Sequence, residues 1–136
     1  MKFCKGESHL NKQELMQLEQ LLEQVQKPAR YIGGEMNAVQ KDWDKVDTTF
    51  AFCFPDTYDI AMSHLGMKIL YHLINLREDA LCERVCMPAA DMADLMREKD
   101  VPLFSLESRK ALNHFDIVGF TLQYEMSFTN ILEMLD

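Results

Sequence analysis

The chain has 136 residues, 48% of them hydrophobic and 26% charged, with a net charge of −8, which suits one domain with a modest core. The acid balance argues against a backbone-driven nucleic-acid binder, which needs a basic stripe, and against docking on anionic lipid. No apolar run has membrane-spanning length and "MKFCKGESHL" has no secretory h-region, so the expected compartment is the cytoplasm.

The first element is "NKQELMQLEQLLEQVQK", an amphipathic helix of about four turns. Leu15, Leu18, Leu21, Leu22 and Val25 recur at helical spacing. Asn11 with Glu14 resembles a capping box and Leu10 with Leu15 a hydrophobic staple. "PARYIGGEMNAVQKDWDKVD" reads as an irregular linker with Trp43 on the outside of the domain. No strand or lysine frames Gly33–Gly34 as a phosphate loop. These segments define a region 1–46, and an α/β domain is expected over 47–136.

"TTFAFCF" (Thr48–Phe54) is an apolar run stopped by Pro55, so a buried strand. Helical character follows from Asp59 to Leu76. "LCERVCM" (Leu81–Met87) is a second strand and "AADMADLMREK" (Ala89–Lys99) a helix. "VPLFS" is a short extended piece, with Pro102 suited to an edge. "SRKALNHF" is a helical turn, "DIVGFTL" (Asp116–Leu122) a third buried strand, and "SFTNILEMLD" begins a helix. Strands alternating with helices argue an α/β fold with a parallel sheet and right-handed crossovers. The first and third strands lack polar alternation, as expected where helices cover both faces. Three strands are few for a doubly wound domain. The expectation is therefore a Rossmann-like sheet, incomplete, belonging to the N-terminal portion of a longer protein.

The four cysteines do not space as a disulfide framework. Cys82 and Cys86 form a C-x3-C on a strand, where residues four apart lie about 13 Å apart. That is too far for one tetrahedral metal, and both read as buried or half-buried packing residues. In open parallel sheets, ligands bind outside the carboxyl ends of the strands, at the topological switch point. The loop after the first strand and the helix start beyond it carry Asp59, Ser63, His64 and Gly66. Asp56, Asp59 or Ser63 would cap the following helix, and Gly66 would admit a close backbone or a flat ligand. His64 would ligate a metal or donate a hydrogen bond, or else be a half-buried, hydrogen-bonded histidine. The loop after the third strand carries Tyr124 and Ser127, with Ser127 as helix N-cap and Asn130 at N3. Neither a nucleophile elbow nor an acid–base pair is visible, so no catalytic or metal-ligating residue is assigned.

"ARYIGGEMNAV", "FCFPDTYDIAMSHLGMKILYHLIN", "RVCMPAADM" and "FDIVGFTLQYEMSFTNILEML" together resemble the N-terminal part of a bacterial radical SAM protein family. Members of that family carry a cobalamin-binding-like domain ahead of the radical SAM barrel. The resemblance implies a B12-binding-type, flavodoxin-like domain holding cobalamin over Asp59, Ser63, His64, Gly66, Tyr124 and Ser127. It also implies a downstream barrel as partner. There a C-x3-C-x2-C motif, which this chain lacks, would hold a [4Fe–4S] cluster and S-adenosylmethionine. Where B12 domains carry D-x-H-x-x-G, this loop reads "DIAMSHLG". An axial-histidine and a histidine-free binding mode both stay open. Two other readings also stand: a cofactor-free interaction or dimerisation module, and a stand-alone nucleotide-binding protein, against which the missing phosphate loop counts.

Overall fold

The middle of the sheet is β1 (Thr48–Phe54), seven residues made almost wholly of β-branched and aromatic or small apolar side chains. It pairs in parallel with β2 (Ala80–Cys86) on one side and β3 (Ile117–Phe120) on the other, giving the order β2-β1-β3. The computed structural model describes residues 12–136. The capping box at Asn11 and Glu14, the Leu10–Leu15 staple and Cys4 therefore lie outside what is described, since the side chains of residues 12–15 are not described either.

The register places alternate residues of all three strands on common faces. Phe50, Phe52, Phe54, Cys82 and Cys86 share one face. There they meet Met67, Tyr71 and Ile74 of α3 (Leu65–Asn75). Ala51, Cys53 and Val85 share the other, packed with Phe115, Phe120 and Met134 of α5 (Ser127–Leu135). A third cluster joins α1 (Lys12–Leu22) to α4 (Ala90–Glu98) through Leu18, Leu21, Met92 and Met96. Burying each such side chain fully is worth about 1.5–3 kcal/mol. The crossover β1–α3–β2 uses the first face, and β2–α4–β3 the second.

Most expected elements are present, with shifted ends. The helix expected over 59–76 is two helices, α2 (Tyr58–Ala61) and α3, broken at Met62–His64. The helical turn in "SRKALNHF" is a 3-10 turn at Leu112–His114. "VPLFS" contributes only one antiparallel bridge, Phe104 with Ala111. The linker is less irregular than expected, holding 3-10 turns at Pro28–Tyr31 and Trp43–Lys45. Gly33 has φ +70°, and a Cβ there would stand 2.3 Å from the Leu106 carbonyl oxygen. Only glycine fits that close approach.

Two expectations are corrected. β3 is not a buried strand: Ile117 is 47% and Val118 38% exposed, because among the described residues only β1 flanks it. Trp43 does not sit on the outside. It is half-buried, edge-on to Phe115 with centroids 4.8 Å apart, under the Lys110 ammonium, and it donates Nε1–H to Glu83.

Candidate functional site

The carboxyl ends of β1 and β3 lie side by side in this strand order, and the loops that leave them are tied together. Asn130 Nδ2 donates to the Pro55 carbonyl at 2.8 Å. Thr121 N–H donates to the Cys53 carbonyl.

The side chains expected to line a ligand each have a local engagement or an exposed position. Asp59 pairs with Arg30 of the linker, which thereby straps the first loop. Ser63 Oγ turns back onto the Ile60 carbonyl at 2.7 Å. His64 is the N-cap of α3: its Nδ1 accepts the Met67 N–H at 3.1 Å, and its ring leans on Phe54. Gly66 leaves room for that cap, because a Cβ there would stand 3.0 Å from the His64 ring. Tyr124 is exposed, with its carbonyl accepting the Ser127 N–H. Ser127 is buried and is the first residue of α5 rather than its N-cap. Met126 holds the cap position without a side-chain bond, which moves Asn130 out of N3. The caps assigned to Asp56, Asp59 or Ser63 likewise fall to Thr57 and His64.

The cap decides whether His64 fits a corrin. A neutral imidazole has one acceptor nitrogen and one N–H. With Nδ1 accepting from Met67, Nε2 carries the hydrogen and has no lone pair for cobalt. His64 in this state does not fit an axial ligand. Burial pushes the Cys82 and Cys86 thiols up to about 12, so with no metal bound both are protonated at neutral pH. Among the described residues, no three His, Cys, Asp or Glu side chains are grouped to hold a metal ion.

The densest polar constellation lies elsewhere, around β2. Glu83 and Arg84 are adjacent and face opposite ways. Glu83 accepts from Ser105 Oγ and Ser108 Oγ, each at 2.6 Å, and from Trp43. Arg84 donates Nε–H to Glu107 at 2.6 Å and Nη2–H to Glu35 at 2.9 Å, with its guanidinium over the Tyr71 ring. Burial pushes the Glu107 carboxyl above the ordinary carboxylate value, with Arg84 pulling it back. Burial, and then Glu35 beside it, raise the Tyr58 hydroxyl to about 12. Sequence reasoning missed this network. The signal was there: two neighbouring charges inside an apolar strand, "LCERVC", must both be paired if the strand is buried.

The remaining feature is apolar. Leu65, Ile69, Leu73 and Leu76 form a stripe along α3, opposite the face that packs on the sheet, and are 49–68% exposed. Phe128, Leu132 and Leu135 form another on α5. Among the described residues, no helix is long and apolar enough to cross a membrane, so these stripes are not membrane spans.

A family model described as "Radical SAM proteins, N-terminal" matches residues 66–136, just over half the chain. No curated protein and no solved structure matches the chain.

Proposed function

The chain belongs to the family of radical SAM proteins, N-terminal, and from that premise we propose that it is an accessory module that packs against the rest of a radical SAM polypeptide. The two-sided α3 carries this reading. A surface helix of a free-standing domain keeps one polar face, whereas α3 buries Met67 and Tyr71 inward and presents Leu65, Ile69, Leu73 and Leu76 outward. Contiguous exposed apolar patches of this kind mark interaction surfaces. Any iron–sulfur and S-adenosylmethionine chemistry belongs on this reading to the barrel, not to this chain.

The test is a stripe variant, Ile69→Lys with Leu73→Lys. The 136-residue chain should keep its circular dichroism spectrum and its thermal midpoint. A longer radical SAM polypeptide bearing the same changes should lose solubility or melt earlier. Equal tolerance in both would sink the docking role.

A second reading, cobalamin held at the crevice between the β1 and β3 loops, is favoured by the strand order and by the exposed Tyr124 there. Because His64 does not fit cobalt, such binding would not use His64 as an axial ligand. Hydroxocobalamin added to the chain and followed by desalting tests it. Retained absorbance unchanged by His64→Ala would support the reading, and colourless protein would end it for this chain.

A further inference from the structure

The two edges of the sheet are finished differently, and the open one has a direction. In a parallel ladder, alternate residues turn both backbone groups to the same side. Met87 N–H bonds the Phe54 carbonyl, so Cys82 and Arg84 turn theirs outward from β2. All four outward groups are taken. Asn75 accepts from the Cys82 N–H and donates to its carbonyl, both at 2.9 Å. Glu107 accepts the Arg84 N–H at 2.8 Å, and Leu106 N–H donates to the Arg84 carbonyl at 2.9 Å.

On the other side, Thr121 N–H bonds the Cys53 carbonyl, so Val118 and Phe120 turn their groups away from β1. No strand among the described residues pairs with them. A row of free N–H and C=O groups is a template for another strand.

Helix placement says where that strand comes from. The crossovers through α3 and α4 run in opposite directions on opposite faces, so they share one hand. α5 lies on the α4 face: Met134 packs with Ala51, Cys53 and Val85, and Glu133 pairs with Arg97 of α4 at 3.0 Å. A crossover of the same, right-handed sense on this face travels from β2 past β1 to β3 and onward. A strand fed by α5 therefore lands beyond β3 and cannot land beyond β2, which is sealed. We propose that the outer edge of β3 receives a further parallel strand from the same radical SAM polypeptide, giving the order β2-β1-β3-β4. This rests on the accessory-module reading and specifies its first contact.

Amide hydrogen exchange on the 136-residue chain and on a longer radical SAM polypeptide carrying it tests the assignment. The Val118 and Phe120 amides should exchange freely in the former and be protected at least about tenfold in the latter. Fast exchange in both would overturn the added strand. Protection already present in the 136-residue chain and rising with its concentration would also overturn it, by assigning the edge to a second copy. Iron–sulfur absorbance of the longer polypeptide, read on the same sample, tests the parent reading separately: its absence counts against the radical SAM reading whatever the amides show.

Discussion

The β2 edge and the β3 edge carry similar strands and are treated in opposite ways. Along β2, every outward backbone group from Cys82 to Arg84 meets a side chain or loop of the same domain. That finish draws polar side chains into the interior: Asn75, Glu107 and Arg84 are all on or beside the edge. Along β3 the four residues Ile-Val-Gly-Phe pair, among the described residues, with β1 alone. A domain that invests buried charges in closing one edge and leaves the other apolar and open is asymmetric by construction. The closed edge belongs to the fold, and on the reading proposed above the open edge belongs to an assembly.

The contrast implies that changes on the β2 side cost stability in this chain and that changes on the β3 side do not. The largest effect should come from Arg84→Ala. It strands Glu107, whose side chain is 1% exposed, and removes one partner of Glu35. Breaking a buried pair by removing one partner costs about 3–5 kcal/mol, readable as a lowered urea midpoint. A loss under about 1 kcal/mol would mean that water reaches the network and the edge is not sealed.

The same site gives a pH signature. The folded Glu107 carboxyl is raised, chiefly by burial, above its ordinary value of 4.5. A raised acid binds its proton more tightly folded than unfolded, so its contribution to stability grows as pH falls and is lost as pH rises through the folded value. The stability of wild type minus that of Glu107→Gln should therefore increase between neutral pH and about 4.5. A flat difference across that window would refute the raised carboxyl. Next in size is Asn75→Ala, which leaves the buried N–H and C=O of Cys82 unpaired. Each orphaned group costs about 1–3 kcal/mol, so a loss of about 2 kcal/mol or more is expected in chemical denaturation.

These residues also mark the limit of what the sequence made legible. Apolar runs placed β1 to the residue and the other strands within a few, because such runs and the stop at Pro55 are local signals. The parallel sheet followed from alternation. The site was less legible because its determinants are long-range. Glu107 reaches Arg84 from 23 residues away, and Glu35 from 49. Arg30 reaches Asp59 from a segment whose weak periodicity read as linker. Polar residues near a strand end suggest a ligand, and the local hydrogen bonds that His64 and Ser63 make are not legible beside that signal. The burial of β3 was misjudged for a related reason: an apolar strand reads the same whether this chain covers it or another segment does.

His64→Ala stands between the extremes. It removes the acceptor for the Met67 N–H at the start of α3. Loss of a side-chain cap costs about 1 kcal/mol, seen as a modest fall in thermal midpoint with the fold retained. A cost near zero would show that the cap is dispensable and would return the imidazole to the list of groups available for a ligand.

The smallest effect should fall on the open edge, with Ile117→Lys. Ile117 is 47% exposed and shares its face of the sheet with Phe50 and Gly119. The Phe50 ring lies over Gly119, 2.5 Å from where a Cβ would stand. Phe50 thus covers Gly119, leaving the Ile117 side chain half in water, where lysine extends its ammonium to solvent while its stem keeps the apolar contact. Surface substitutions of this kind stay within about 0.5 kcal/mol. The urea midpoint and slope should match wild type. A cost of about 2 kcal/mol or more would mean that β3 is already covered in the folded chain. The open edge would then be an interface between two copies, and the contrast with β2 would become one between two closed edges, one sealed within the chain and one between chains.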